Sequence, residues 1–119
     1  MTKTQANLRI YHNPRCSKSR AALAIIEEQG GQPEVIEYLK TPPTKDELRA
    51  LLGKLGMKPA DIVRRGEAVF KEKYAGRTLS DDEWLDALAA DPILIERPIV
   101  VRGDEAVLGR PPEKVRELL

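Results

Sequence analysis

The chain has 119 residues, 41% of them hydrophobic and 33% charged, with a formal net charge of +1. That balance fits one globular domain, residues 1–119, and excludes a disordered chain; the small net charge supplies no global field for nucleic acid or an anionic membrane, so any anion site must be local. A single cysteine excludes an internal disulfide and a multi-cysteine metal site, while the absence of a long apolar run near the start or later speaks against a signal peptide or membrane span and for the cytoplasm.

Leu8 to His12, "LRIYH", alternates apolar and other residues, is rich in strand formers and reads as a first strand, broken by Asn13-Pro14. From Ser17 the pattern becomes helical, with Leu23, Ile25 and Ile26 facing inward and Gly30-Gly31 as the stop. Pro33 to Leu39 reads as a second strand, and a crossover of this length predicts a parallel pair. Thr44 with Glu47 forms a capping box ahead of a stripe of Leu48, Leu51, Leu52 and Leu55, and Gly56 ends that helix. "PADIVRRG" and "AVFKEKYAG" read as short helices. Ser80 with Glu83 opens another helix, which buries Trp84, Leu85 and Leu88. Ile99 to Val101 reads as a strand, Gly103-Asp104 as a turn, Ala106 to Leu108 as the returning strand, and a final helix begins near Pro112. This order implies an α/β fold, a thioredoxin-like mixed sheet with a helical insertion.

Cys16 falls in the loop between the first strand and the first helix, four residues after the only histidine, His12. A helix N-terminus offers unpaired N–H groups and partial positive charge, which favour either a thiolate or a bound oxyanion. Arg15, Lys18 and Arg20 add cations, and a protonated His12 would add another. Comparable surroundings bring a thiol from about 8.5 down to roughly 3.5–7.5. The bland alternative, a cysteine filling the core, requires apolar neighbours at a strand or helix period, and here Pro14, Arg15, Ser17 and Lys18 flank the sulfur.

Spacing narrows the chemistry. Arg20 gives Cys-x3-Arg, not the Cys-x5-Arg loop of cysteine phosphatases, and Ser19 gives Cys-x2-Ser, not the Cys-x2-Cys of dithiol oxidoreductases. A serine can donate a hydrogen bond, which groups Ser19 with the substrate-binding residues, but it cannot resolve a disulfide. Any thiol redox cycle therefore needs an external thiol. One histidine and one cysteine also fall short of a closed metal site, so no metal is expected.

Taken with "TPPT", "ERPIVV" and "GRPPE", the segment "YHNPRCSKSR" resembles the ArsC-type, glutaredoxin-coupled arsenate reductases, from Leu8 to Leu119 and with the blocks in family order. The resemblance implies a thioredoxin-like fold, Cys16 as nucleophile, His12 as the histidine preceding it, and Arg64, Arg97 and Arg110 as ligands of the arsenate oxyanion. Arg64 is preferred over its neighbour Arg65 on the preceding apolar pair. Arg97-Pro98 corresponds to the step where such folds carry a cis proline. Glutathione as co-substrate and glutaredoxin as partner follow from the family, with no bound cofactor. Ser17 and Lys18 replace a smaller uncharged pair, and the chain is more similar to the short chromosomal subgroup. Two other readings stay open: a glutathione-linked thiol-disulfide oxidoreductase without arsenate specificity, and an Spx-like RNA polymerase-binding regulator whose usual cysteine pair Ser19 would break.

Overall fold

The computed structural model describes residues 8–119; the part of the signal-peptide reading that rests on residues 1–7 lies outside them. Two compact units emerge. One comprises residues 8–41 together with Arg97–Leu119, and the other is the intervening Pro42–Glu96.

The first unit is built on four strands: β1 (Leu8–His12), β2 (Glu34–Glu37), β3 (Ile99–Arg102) and β4 (Glu105–Leu108). Their order is β2-β1-β3-β4, with β1 parallel to β2 and antiparallel to β3, and β3 antiparallel to β4. This is the mixed thioredoxin-like sheet that the element order implies. Strand β1 is central and covered on both faces, so Leu8, Ile10, Tyr11 and His12 are all buried. The alternation in its sequence predicts one buried face, whereas coverage on both faces buries Tyr11 as well. Helix α1 (Ser17–Glu28) lays Ala22 and Ile26 into a core with Leu8, Ile10, Val100, Val115 and Leu118. Leu23 and Ile25, both expected inside, pack only partly against that core.

Two segments of this unit differ from their sequence-based outlines. Strand β2 stops at Glu37 because the Lys40 and Thr41 N–H groups both fold back onto the Glu37 carbonyl. The final helix is a 3-10 helix over Pro112–Leu118. Its buried residues, Val115 and Leu118, stand three apart, the repeat of a 3-10 helix, so the tighter winding puts both on one side.

The second unit is helical: α2 (Lys45–Leu55), α3 (Ala68–Lys73) and α4 (Asp81–Ala90), with 3-10 turns at Pro59–Ile62 and Pro92–Leu94. Both expected capping boxes form, Thr44 with Glu47 and Ser80 with Glu83. Gly56 ends α2 in the left-handed region at φ 69°, where a side chain would be strained. "PADIVRRG" winds for only four residues because Val63 becomes extended and bridges Ile95. Trp84 lies parallel to Phe70, with ring centroids 6.2 Å apart, and anchors the apolar side of α4 beside Leu85 and Leu88. Among the described residues, no helix is long and apolar enough to cross a membrane.

Candidate active site

The site begins with the way Asn13-Pro14 ends β1. Buried Asn13 accepts the Arg15 N–H on its side-chain Oδ1 at 3.0 Å, and its backbone carbonyl accepts the Cys16 N–H at 3.0 Å. An asparagine side chain that mimics a backbone turn in this way is a common loop device. The loop delivers Cys16 to the N-cap of α1 with extended backbone angles, half-buried and without a disulfide partner.

Burial pushes the Cys16 thiol up, but the Ser19 N–H, the Arg97 guanidinium and the Lys18 N–H outweigh it and hold the thiol below its ordinary value. The sulfur makes no hydrogen bond of ordinary cap geometry, so this is stabilisation by converging dipoles and one cation. Arg97, itself buried, comes from the segment immediately before β3. The cations nearest in sequence do less for the sulfur. The exposed Arg20 instead braces the loop from outside, donating from Nη1 to the Pro14 carbonyl at 2.9 Å.

His12 also differs from the cationic role open to it in the sequence. Burial lowers its pKa, the Glu37 carboxylate opposes that, and the net shift is downward, so the ring is neutral at neutral pH. Its Nδ1 lies 2.7 Å from Ser19 Oγ, and that oxygen accepts the Asn13 N–H at 3.1 Å. Each group is used once when Ser19 donates to Nδ1 of a neutral His12. The Ser19 side chain is fully buried, so its hydroxyl holds the loop together from within while its backbone N–H serves the sulfur. Ser19→Ala leaves two buried polar groups without this partner. It is expected to cost about 2–3 kcal/mol of stability, measured by urea unfolding, with the loss concentrated in the cysteine loop by amide hydrogen exchange.

Arg110 joins Arg97 through backbone packing. The Gly109 N–H donates to the Pro98 carbonyl at 2.8 Å, and a Cβ at position 109 would come within 2.8 Å of Pro98 Cγ. This close approach seats the "GRPPE" turn against the Arg97-Pro98 step, and Arg110 Nη1 points at the Arg97 carbonyl from 3.5 Å. The peptide bonds before Pro98 and Pro111 are both cis, the first as the resemblance implies. The first unit therefore brings Cys16, His12, Ser19, Arg97 and Arg110 together.

Arg64 belongs to the helical unit, and its surroundings separate it from Arg65. Arg64 is half-buried between Glu67 and Glu96. Burial disfavours its charge, but the two carboxylates more than compensate and keep it firmly protonated. Arg65 is exposed and lies over the Phe70 and Trp84 rings at 5.4 and 5.6 Å, a cation–π position. Sequence reasoning missed Asn13 and the two glutamates. For Asn13 the signal was present, since Asn before Pro opens turns, but the pair was read only as a strand breaker.

The family model described as the ArsC family matches residues 11–118. An arsenate reductase of Neisseria meningitidis serogroup A is 44% identical, covering 94% of this chain and 97% of that protein. An arsenate reductase of Escherichia coli K12 is 41% identical, covering 96% of this chain and 82% of that protein. Among solved structures, the arsenate reductase from Vibrio cholerae superimposes with a TM-score of 0.90 at 49% identity, covering 94% of this chain and 97% of that one. Since the match spans the cysteine loop, the helical insertion and both arginine-proline steps, the chain belongs to the ArsC family.

Proposed function

We infer that this protein reduces arsenate to arsenite in the cytoplasm, using Cys16 as nucleophile and glutathione with glutaredoxin as electron donors. The observation that carries the reading is the electrostatic setting of the sulfur: two helix-start N–H groups and the Arg97 guanidinium favour the thiolate, with Arg110 alongside. A thiolate attacking an oxyanion brings two negative charges together, and guanidinium forks offset that repulsion while orienting the oxygens. The family resemblance implies Arg64 as a third ligand.

Cys16 attacks arsenic, and one arsenate oxygen leaves as water once protonated. A second thiol, from glutathione, then attacks the Cys16 sulfur; the sulfur–arsenic bond breaks with its electron pair left on arsenic, arsenite departs after taking up a proton, and Cys16 and glutathione are left as a mixed disulfide. Glutaredoxin cleaves that disulfide by thiolate exchange and returns Cys16 to the reduced form. The external thiol is required because the chain has one cysteine. The arsenate reductases among its relatives support arsenate as the substrate.

The test is arsenate-dependent NADPH oxidation with glutathione, glutaredoxin and glutathione reductase. Turnover should require both glutathione and glutaredoxin, and thioredoxin with its reductase should not replace them. Equal rates with thioredoxin alone would remove the proposed donors, and no arsenate-dependent oxidation with any donor would remove the reaction.

A further inference from the structure

Arg64 carries two carboxylate partners at once. Its Nε donates to Glu67 Oε2 at 3.1 Å, and its Nη1 donates to Glu96 Oε1 at 2.9 Å. All three side chains are about three-quarters out of solvent, with exposures of 24% for Arg64, 26% for Glu67 and 23% for Glu96. Water therefore screens these charges less than it would on an open surface.

The backbone fixes this clasp. The Arg64 N–H donates to the Leu94 carbonyl at 2.7 Å, and the Glu96 N–H donates to the Ile62 carbonyl at 2.8 Å. Val63 faces Ile95 between them in an antiparallel bridge. Two short extended segments are thus locked in register, which brings the Glu96 carboxylate to the Nη1 corner. Glu67 reaches Nε from the residue that opens α3. Nη2 makes no hydrogen bond to any of the described residues, so its two hydrogens, with the second one on Nη1, are the part of the fork left for a ligand.

The geometry points to Glu67 and Glu96 as positioning residues that set how tightly Arg64 takes a doubly charged tetrahedral oxyanion: they hold the fork with Nη2 presented, and their charges oppose the incoming dianion. This rests on the reading of Arg64 as an oxyanion ligand. A clasp that only stitches two segments together would influence melting and leave anion affinity alone. A clasp that tunes the arginine has the opposite signature. Replacing either glutamate by glutamine keeps an oxygen acceptor for the fork while removing a negative charge, so the oxyanion should bind more tightly even where the fold loses some stability.

The experiment follows the Arg64 Nε–Hε resonance, assigned with Arg64→Lys, during sulfate titrations of wild type, Glu96→Gln and Glu67→Gln at constant ionic strength. Sulfate half-saturation should fall about fivefold in each variant, and the arsenate KM of coupled turnover should fall with it. An unchanged or higher half-saturation in both variants overturns the inference, whatever their melting temperatures, as does a wild-type resonance that never responds to sulfate. A wild type that binds sulfate at Arg64, shows the shift in the variants and yet does not reduce arsenate leaves the inference standing and removes the proposed reaction instead.

Discussion

Cys16→Ser is expected to abolish arsenate reduction, a fall of roughly 10⁴-fold or more, to the background of glutathione alone, with the circular dichroism spectrum unchanged. A hydroxyl in the same half-buried loop has nothing to deprotonate it: the neutral His12 ring is committed through Nδ1 to Ser19. The wild-type thiol is activated without a base, by dipoles and a cation that stabilise its charged form. Its alkylation by a neutral reagent should therefore show a midpoint below the about 8.5 of a free thiol. A midpoint at or above that value would mean that burial, which pushes the other way, has won. The same shift enters stability with a fixed sign. A depressed thiol pKa contributes stability that is fully present above the unfolded thiol's pKa and is lost as pH falls through the folded one. Wild type should gain stability relative to Cys16→Ser across that interval as pH rises, then hold the gain. Unfolding free energies measured at several pH values on both proteins check this.

The features legible in the sequence were local ones. The Thr44–Glu47 and Ser80–Glu83 capping boxes, the Gly56 stop and the Gly103-Asp104 turn are each settled within a few residues, and each forms as read. Cys16 at a helix start was legible for the same reason. The cations that matter were not. Arg15, Lys18 and Arg20 crowd the sulfur along the chain, yet the side chain that reaches it is Arg97, brought there by β3 pairing with β1. Only the resemblance pointed to Arg97. His12 shows the converse: its proximity to Cys16 suggested a second cation, but a central strand buries it and keeps it neutral. The Arg64 clasp depends on the pairing of Val63 with Ile95, an isolated bridge with no periodic pattern to announce it.

Arg97→Gln should lower kcat/KM for arsenate by about 10²–10³-fold, roughly 3–4 kcal/mol, the usual cost of removing one preorganised oxyanion donor. Two effects are combined in that loss, and they separate by pH. Arg97 favours the Cys16 thiolate, so the variant's alkylation midpoint should move up. Above both midpoints the thiolate fraction is the same in the two proteins, and whatever deficit persists belongs to oxyanion binding. Arg97→Lys divides the roles another way: it keeps the charge, so the midpoint should stay low, but loses the planar fork, so arsenate turnover should still fall. The same comparison tests the thiol-disulfide reading. Reduction of a glutathione mixed disulfide involves no tetrahedral dianion, so in Arg97→Gln, assayed above both midpoints, it should stay near wild type while arsenate reduction remains depressed. If arsenate reduction survives there within about threefold, Arg97 serves the sulfur alone and is no oxyanion ligand; if the two activities fall in parallel, its contribution is not specific to the arsenate dianion, and the thiol-disulfide reading gains over the arsenate one.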